Sequence, residues 1–470
     1  MADMDEYEIG VITTTPLGDT SYLLVSGDEA ALVDPQRDCW GLLESCESRG
    51  VRIRYVLETH VHNDYVSGAL EVRASTGATV AGPARAAYAF DHLPLAEDDE
   101  IAVGDVLVRA METPGHTAEH TSYLVFGDSQ LAPKAVFTGG SLLVGSSGRT
   151  DLSGADRTEG LARAQYRSLR RLALLPDGTR VLPTHGAGSS CAAGPASADR
   201  TTTVGAQRHT NPALAAADEE QFISERLVGL PPYPAYYRHM APLNRAGPRV
   251  LGGPPGIRPL TPDAVARLVE YGALVVDARD RRSFAEAHLP GSLCNELDDG
   301  FATLLGQVVP FGTALVLVLP EPVAEAAAEA VTQLLRIGYE DIGGYLDGGI
   351  ARWLDSGRAL GSFRAAGVSD LVLSDPRPRV LDVRFRTEPG TVPGALAIPI
   401  DELPGRLAEI PRDREVWTVC GRGRRASLAA SLLDRAGIPV TAVVSGGARD
   451  LMTEVTERDL MTEMTEGREL

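Results

Sequence analysis

Short apolar runs that alternate with polar turns fill the N-terminal half of the chain. The runs TSYLLVSGDEAALVDP, VRIRYVLETH and DVLVRAMETPGH predict β-strands that end at a histidine, an aspartate or a glycine-rich turn. The segment RTEGLARAQYRSLRRLALL has a helical pattern. Strands with polar residues at their ends and helices on the outside indicate a layered α/β domain.

Two segments in the C-terminal half share one pattern. Each begins with an apolar strand that ends in an aspartate, at Asp277 and Asp382, and continues through a Pro-Gly turn, a second apolar strand and an Ala-rich helix. Each closes near a glycine pair, at Gly348-Gly349 and Gly446-Gly447. The repeat is too long for a solenoid unit, so it predicts two small α/β domains.

These patterns set the expected domain boundaries. We expect a first domain over residues 1–240, a Pro- and Gly-rich linker over 241–257, the two repeats over 258–361 and 362–452, and a charged extension over 453–470. The sequence DLMTE occurs at 450–454 and again at 459–463, and the pattern leaves open whether this last stretch forms a charged helical extension or a frayed tail.

Composition and charge narrow the class of protein. The chain has 470 residues, which is more than one hydrophobic core usually supports, and a formal net charge of −20 without the basic stripe of a nucleic-acid binder. Five cysteines form an odd, sparse set that argues against a disulfide framework. No apolar run is long enough to span a membrane, and the acidic N-terminus lacks the pattern of a signal peptide. These features predict a cytoplasmic protein with neither a nucleic acid nor a membrane as partner.

One cysteine lies at a predicted strand–loop–helix junction in the second repeat. The segment Cys420–Arg425, called here the cysteine loop, follows an apolar run and precedes an Ala- and Leu-rich helical pattern. Backbone N–H groups of such a loop and the N-terminus of the helix can stabilise a thiolate or a persulfide. Gly421 and Gly423 relax the steric limits of a tight loop. Three arginines provide a basic rim for an anionic sulfur donor: Arg422, Arg424 and Arg425.

The first repeat lacks an equivalent cysteine. Its second strand, in TALVLVLPEPVAEAAAEAV, is followed by prolines and apolar residues. Cys294 falls after the Pro-Gly turn, where we expect a core residue. Without a thiol this domain cannot form a covalent sulfur intermediate, so we expect it to serve in packing or docking.

Three histidine-bearing strand ends predict a metal site in the first domain. His60, His62 and Asp64 follow one strand in ETHVHNDYVSG, His116 lies in TPGHTAEH, and His185 lies in LPTHGAGSSC. Imidazoles and a carboxylate on turns at strand ends can converge on one metal ion.

The motifs VDPQRD, THVHNDYVSG, TPGHT, VFTGGSLL and GRTDL resemble the persulfide dioxygenase and glyoxalase II branches of the metallo-β-lactamase superfamily. The pattern Cys-x-x-Gly-x-Arg at Cys420 resembles an active rhodanese domain. The resemblance extends to about residue 450 and implies an α/β multidomain protein. Its N-terminal metallo-β-lactamase αββα sandwich would precede a pseudo-rhodanese domain and a rhodanese domain, both α/β with parallel sheets.

The resemblance also implies a ligand set and a substrate site. In the family one Fe(II) is held by two histidines and an aspartate, and the matching histidines are His60 and His116. Arg149 and Asp151, in GRTDL, match a segment close to the family's active site. Cys191 follows His185 near the expected place of a substrate thiol, where it is either a substrate contact or an inert small residue.

The chain departs from the family pattern at two ligand positions. Gly140 stands where the family has its carboxylate ligand, and Tyr65 stands where a histidine commonly ends the first motif. A binuclear zinc site is therefore not expected. The alternatives are a mononuclear site with His60, His62 and His116 as ligands and Asp64 as a substitute carboxylate, an open position at Gly140 that a thiolate or carboxylate of the substrate fills, or a site that binds metal weakly or not at all. We expect one Fe(II) per chain, with zinc as the alternative.

Taken together, these features predict a persulfide dioxygenase-sulfurtransferase. It would oxidise a low-molecular-weight persulfide, such as glutathione persulfide, at a mononuclear metal and transfer sulfane sulfur through Cys420 to or from sulfite and thiosulfate. One alternative is a rhodanese sulfurtransferase with a catalytically impaired metallo domain. Another is a glyoxalase II-like zinc thioesterase. The oligomeric state, including a homo-oligomer, stays open.

Overall fold

A computed structural model of the chain describes residues 7–127, 131–194, 197–230, 232–374, 376 and 378–453. These residues divide into two compact units. One ends at Pro255 and also includes Leu335–Gly338, and the other contains Gly256–Leu334 and the residues from Tyr339 on. The predicted extension over 453–470 lies, beyond residue 453, outside the described residues.

Two six-stranded sheets form the centre of the first unit, in the orders β1-β2-β3-β4-β5-β6 and β14-β13-β10-β9-β8-β7. The first sheet contains β1 Glu8–Thr14, β2 Asp19–Ser26, β3 Glu29–Val33, β4 Arg52–Leu57, β5 Thr79–Pro83 and β6 Leu93–Leu95. The second contains β7 Glu100–Val103, β8 Val106–Glu112, β9 Thr121–Phe126, β10 Ala135–Gly139, β13 Arg180–Pro183 and β14 Thr202–Thr203. A small hairpin joins β11 Leu142–Leu143 to β12 Ser146–Ser147.

Alternating side chains explain why the two sheets stack. On β2, Tyr22 and Leu24 belong to the core between the sheets, whereas Leu23 and Val25 belong to a second core under helices. This period of two buries both faces of the strand. The helices are α1 Trp40–Ser48, α2 Ala69–Thr76, α3 Ala155–Leu172, α4 Val204–Thr210, α5 Pro212–Ala215, α6 Glu219–Arg226 and α7 Tyr237–Ala246.

The outer helices complete the sandwich. Residues of α1 and α2, such as Cys46 and Leu70, pack on the outer face of the first sheet. Leu169 of α3 and Phe222 of α6 pack with Val136 and Val181 of the second sheet. The αββα sandwich expected for the N-terminal domain is confirmed.

The segment expected to be a linker starts within a helix. Helix α7 covers Tyr237–Ala246, so residues 241–246 of the expected linker are helical, with Pro242 inside the helix. Asn244 is buried, and its side chain donates to the backbone oxygens of His62 and Tyr65. Most of the proline and glycine residues that predict a linker lie after residue 246. The segment before it was assigned to the same linker, although it forms a helix.

Two five-stranded parallel sheets form the second unit, with the equivalent orders β15-β19-β18-β16-β17 and β20-β24-β23-β21-β22. The strands are β15 Pro259–Leu260, β16 Leu274–Asp277, β17 Leu293–Cys294, β18 Leu315–Val318, β19 Ile342–Leu346, β20 Arg364–Gly367, β21 Arg379–Asp382, β22 Leu396–Ala397, β23 Val416–Val419 and β24 Val440–Ser445. The helices are α8 Pro262–Glu270, α9 Arg281–Glu286, α10 Phe301–Val308, α11 Val323–Arg336, α12 Gly349–Asp355, α13 Val368–Leu373, α14 Leu403–Arg406 and α15 Arg424–Arg435, with a 3₁₀ turn at Leu407–Glu409. The expectation of two α/β domains with parallel sheets is confirmed.

Strand register aligns the two repeats residue by residue. Asp277 pairs with Val318 in the first sheet, and Asp382 pairs with Val419 in the second. The next residue after Val419 is Cys420, so the equivalent position after Val318 holds Leu319, which is buried. The first repeat therefore has an apolar side chain where the second has its thiol.

No described helix combines the length and apolar composition that a membrane crossing requires.

Candidate functional site

Five histidines meet at one end of the αββα sandwich and are called here the histidine cluster: His60, His62, His116, His120 and His185. They follow strands β4 and β13 or lie between β8 and β9. Sheet order thus brings together residues that are 125 positions apart in the chain, such as His60 and His185. All five rings are buried.

Three rings of the cluster are anchored outward through Nδ1. The anchors are Thr59 Oγ1 for His60 at 2.9 Å, the carbonyl oxygen of Arg149 for His116 at 2.7 Å, and Asp19 Oδ1 for His185 at 2.8 Å. A carbonyl and a carboxylate only accept, and the Thr59 hydroxyl donates to Asp34, so each Nδ1 is the donor. The Nε2 atoms therefore carry lone pairs.

The nitrogens of these three rings lie close to one another. The Nε2 atoms of His60 and His185 lie 3.3 Å apart, and His116 Nε2 has no hydrogen-bond partner among the described residues. One nitrogen from each ring lies within 4.8 Å of those of the other two. Burial lowers the pKa of all three histidines, which favours their neutral, metal-binding form. The residues thus fit a metal ion.

His62 has a different set of neighbours. Its Nε2 lies 3.2 Å from Asp34 Oδ1, 3.1 Å from Glu58 Oε2 and 3.0 Å from the Tyr65 hydroxyl. Burial alone lowers the pKa of His62, but the two carboxylates outweigh it and raise the pKa well above its ordinary value. This ring sits in an ion pair with Asp34, which also accepts from the backbone N–H of Thr59 at 2.7 Å.

Two buried carboxylates lie behind His185. Asp64 Oδ2 is 3.2 Å from His185 Nδ1, close to the Asp19 oxygen that anchors the same ring. Burial raises the pKa of Asp19 and of Asp64 to about 7 each. His62, Asp64 and His185 form a second group that could hold a metal, and Asp34, His60 and His62 form a third.

Gly140 lies directly against the ring of His116. A Cβ atom at this position would be 2.1 Å from Cδ2 of His116, and one at Gly148 would be 2.8 Å from Nδ1 of the same ring. The N–H of Gly140 donates to His120 Nε2 at 2.9 Å. The imidazole of His116 thus fills the space in which a side chain at position 140 would begin.

Arg149 and Cys191, the two predicted substrate contacts of this domain, are both buried. The Arg149 guanidinium binds the carboxylate of Asp151 through two nitrogens, at 2.7 and 2.8 Å, and the side chain is 2% exposed. The residue acts on the cluster through its carbonyl oxygen, which anchors His116. Cys191 is fully buried, and burial raises the pKa of its thiol well above the ordinary value.

The cysteine loop holds its sulfur against backbone donors. Cys420 Sγ accepts from the N–H of Gly423 at 3.2 Å and from the N–H of Ala426, in the first turn of α15, at 3.4 Å. Gly423 has φ of +87°, and a Cβ there would lie 2.6 Å from the Val444 carbonyl oxygen. A Cβ at Gly447 would lie 2.0 Å from the carbonyl oxygen of Gly421. The glycine pair of this repeat therefore lets the backbone close on the loop.

A cavity of about 640 Å³ opens over the cysteine loop. Among the described residues, its arginines are Arg281, Arg384, Arg422, Arg424, Arg425 and Arg449. Two carboxylates, Asp298 and Glu388, also line it. Arg281 and Arg384 also bind carboxylates, those of Glu296 and Asp382, and the positive charge that remains suits a small anion.

Both repeats contribute to this cavity. Arg424 binds Asp298 of the first repeat at 2.8 Å, and Arg425 binds Glu388 of the second repeat at 3.0 Å. Arg281 of the first repeat donates to the carbonyl oxygen of Arg422 at 2.6 Å. The first repeat thus holds the loop backbone although it carries no thiol there.

Comparisons with known proteins place these sites in two families. The model of the metallo-beta-lactamase superfamily matches residues 14–185, and the model of the rhodanese-like domain matches residues 261–356 and 368–453. A hydroxyacylglutathione hydrolase of Acidiphilium cryptum is 35% identical over 178 residues, which cover 37% of this chain and 68% of that protein. The chain belongs to the metallo-β-lactamase superfamily. Its metallo-β-lactamase domain is followed by two rhodanese-like domains.

Other relatives of the metallo-β-lactamase domain differ in coverage. A hydroxyacylglutathione hydrolase of Cereibacter sphaeroides is 37% identical over 180 residues, which are 37% of this chain and 66% of that protein, slightly less than two thirds of its length. A solved structure of a metallo-beta-lactamase from Staphylococcus aureus subsp. aureus COL is 26% identical with a TM-score of 0.65. That match covers 73% of this chain and 99% of the other, so it extends beyond the metallo-β-lactamase domain.

Several residues of the histidine cluster and its surroundings are not predicted by the sequence patterns. His185 is among the predicted strand-end histidines but not among the predicted ligands, and Asp19, Asp34 and Glu58 are not among the predicted site residues. The only local signal was the position of Asp34 directly after an apolar strand, in VDP. Asp19 could not be found this way, because it reaches His185 across 166 positions of the chain.

Cys294 of the first rhodanese-like domain is part of the core. It lies on β17 and is buried, and its backbone N–H donates to Ser431 Oγ at 3.0 Å. Burial raises the pKa of its thiol well above the ordinary value. Its surroundings are those of a packed residue, as the sequence pattern predicted.

Proposed function

We propose that the chain is a persulfide dioxygenase-sulfurtransferase that acts on a low-molecular-weight persulfide such as glutathione persulfide. The observation that carries the proposal is the presence of two chemistries on one chain. Three inward-facing imidazole nitrogens meet in the metallo-β-lactamase domain, and a cysteine sulfur is held by backbone N–H groups in the second rhodanese-like domain. The first suits a metal and the second suits a persulfide.

The proposed reactions share sulfite as their link. In the first, glutathione persulfide, dioxygen and water give glutathione and sulfurous acid, so the outer sulfur is oxidised and dioxygen is reduced. In the second, the Cys420 persulfide gives its outer sulfur to sulfite, the sulfur–sulfur bond at Cys420 breaks, and thiosulfate leaves with the Cys420 thiolate restored. A further glutathione persulfide reloads Cys420 and releases glutathione.

The histidine cluster would bind one iron(II) per chain through His60 and His116, with zinc as the alternative. When bound, the iron would supply the one-electron chemistry that dioxygen needs. The chain itself orients the ligands: the carbonyl oxygen of Arg149 fixes the tautomer of His116, and Thr59 fixes that of His60. All five rings are buried, so the bound ion would lie away from bulk water.

The cysteine loop would stabilise the persulfide of Cys420. The N–H groups of Gly423 and Ala426 lie 3.2 and 3.4 Å from Sγ, where they can share the negative charge of the terminal sulfur. The arginines of the cavity would attract sulfite and thiosulfate. The five cysteines are unpaired, which supports the cytoplasmic location we propose.

A zinc thioesterase is the second candidate, because hydroxyacylglutathione hydrolases are 37% identical over 180 residues. Gly140 argues against it, since a binuclear hydrolase site needs a bridging carboxylate where this chain has none. A sulfurtransferase with an impaired metallo domain is the remaining alternative. It would consume no oxygen.

Oxygen uptake with glutathione persulfide tests the proposal. The full chain, purified and reconstituted with iron(II) without oxygen, should consume oxygen and form sulfite and thiosulfate. His116→Gln should abolish oxygen uptake, and Cys420→Ser should abolish sulfur transfer from thiosulfate to cyanide. Cys294→Ser is the matched control, because it removes another buried thiol outside the loop.

Absence of oxygen uptake by the iron-loaded chain would refute the dioxygenase. Hydrolysis of S-lactoylglutathione by a chain that binds two zinc ions would favour the thioesterase instead. Retention of sulfur transfer by Cys420→Ser would refute the role of the cysteine loop.

A further inference from the structure

We infer that His60, His116 and His185 form a three-histidine metal site with no carboxylate among its protein ligands. This set differs from the two histidines and one aspartate that the family resemblance implies. The inference rests on the part of the proposed function that puts a metal in the histidine cluster, and it adds the third ligand.

The tautomers of the three rings leave their Nε2 atoms free to bind a metal. Each Nδ1 donates to an oxygen outside the cluster, at 2.7 to 2.9 Å. The Nε2 atoms of His60 and His185 then face each other at 3.3 Å with no hydrogen between them. Two lone pairs at this distance repel one another unless a cation lies between them. The separation of 3.3 Å between the Nε2 atoms of His60 and His185 is also compatible with two metal–nitrogen bonds of about 2.0–2.1 Å to one ion.

The other two candidate groups are already engaged among themselves. In the group of Asp34, His60 and His62, Asp34 lies 3.2 Å from His62 Nε2. In the group of His62, Asp64 and His185, Asp64 lies 3.2 Å from His185 Nδ1. A metal in either place would have to break an internal ion pair. The three-histidine group contains no such pair.

Position 140 cannot supply a carboxylate without moving a ligand. The ring of His116 lies 2.1 Å from the place of a Cβ at Gly140, and Gly148 closes the other side of the same ring. The loss of an aspartate at 140 and the inward position of His116 are therefore complementary. His185, anchored by Asp19, takes the coordination place that the missing carboxylate leaves.

The ligand set predicts the ion and the substrate charge. Imidazole nitrogens favour iron(II), cobalt(II) or zinc over magnesium and calcium, which prefer oxygen. Three neutral ligands leave the full double charge on the ion, so its open positions favour an anionic sulfur ligand such as a persulfide. The carboxylate of Asp19 sits behind His185, where it strengthens the ligand without occupying the ion.

Metal titration of variants tests the ligand set without any reference to catalysis. The full chain is titrated with cobalt(II), and the affinity and the visible spectrum are recorded for the wild type, His185→Gln, Asp64→Asn and His120→Gln. We expect one cobalt per chain in the wild type. His185→Gln should weaken binding by on the order of 100-fold or more, beyond the roughly 10- to 100-fold that loss of an outer partner causes.

His120→Gln is the matched control and should keep the wild-type affinity within a few-fold. Asp64→Asn removes an outer contact of His185 Nδ1, so it should weaken binding by no more than about 10- to 100-fold. His120 is an equally buried ring whose two nitrogens bind Thr113 and the N–H of Gly140. Pulsed electron paramagnetic resonance of the copper(II)-loaded wild type should count three imidazoles, which needs no variant to fold. Unchanged binding by His185→Gln, loss of metal from Asp64→Asn, or failure of the wild type to bind would overturn the inference.

The same protein separates this inference from the proposed activity. A chain that binds one ion through three imidazoles but consumes no oxygen would keep the ligand set and refute the dioxygenase. If the wild type consumes oxygen and His185→Gln binds metal normally, the dioxygenase is supported and the three-histidine ligand set is refuted.

Discussion

At the scale of single residues, the contact between Gly140 and His116 sets how the cluster is packed. A methyl group at 140 would overlap the imidazole at 2.1 Å, and the ring cannot retreat freely because its Nδ1 is anchored 2.7 Å from the carbonyl oxygen of Arg149. We therefore expect Gly140→Ala to destabilise the metal-free protein by about 1–3 kcal/mol, the range for overpacking in a core. The thermal unfolding transition of the metallo-β-lactamase domain, compared between the variant and the wild type, measures this loss of stability.

Gly160→Ala is the control for this substitution. Gly160 lies in helix α3 with no atom within 4 Å of the place of its Cβ, so alanine there should stabilise by up to about 1 kcal/mol. Equal melting temperatures for Gly140→Ala and the wild type would show that the ring moves without cost, and the packing argument would fail.

Single residues also show how far the sequence predicts the site. His60, His116 and Cys420 were found because each follows a short apolar strand in a distinctive loop. Asp19 was not found, because its partner His185 is 166 positions away and only the order of the strands brings them together. The sequence groups His62 with the expected metal ligands, but it does not indicate that the carboxylates of Asp34 and Glu58 bind the Nε2 atom of His62.

At the scale of elements, helix α9 of the first rhodanese-like domain reaches the cysteine loop. Its first residue, Arg281, donates to the carbonyl oxygen of Arg422 at 2.6 Å and binds Glu296 through Nε at 2.9 Å. We expect Arg281→Ala to lower kcat/KM for sulfur transfer by about 10- to 100-fold, since a charge-assisted hydrogen bond contributes about 1.5–3 kcal/mol. The thiosulfate-to-cyanide assay measures it.

The neighbouring arginine gives the control. Arg282 is exposed on the same helix, and Arg282→Ala changes the net charge equally without removing a bond to the loop. The helix itself should survive both changes, because Asp280 caps it through the N–H groups of residues 282 and 283. Equal losses in both variants would mean that charge, and not the bond to Arg422, sets the rate.

Elements were predicted well where the pattern was regular and poorly where composition misled. The two repeats were found because the order strand, Pro-Gly turn, strand, helix and glycine pair recurs. Helix α7 was missed, since its proline and the glycines after it resemble a linker. The role of α9 could not be predicted, because Arg281 and Arg422 are 141 positions apart.

At the scale of the whole molecule, one chain joins the proposed source of sulfite to the proposed consumer. Sulfite released by the metallo-β-lactamase domain should meet Cys420 at an effective concentration that does not depend on how much protein is present. We therefore expect the ratio of thiosulfate to sulfite formed from glutathione persulfide to stay constant when the wild type is diluted.

Separating the two activities between chains should remove this property. In an equimolar mixture of Cys420→Ser and His116→Gln, sulfite must diffuse from one chain to another, so the ratio should fall as the mixture is diluted. Cys420→Ser alone should form sulfite and no thiosulfate. If the wild type and the mixture respond equally to dilution, sulfite equilibrates with solution before transfer, and the covalent fusion gives no kinetic advantage to the second step.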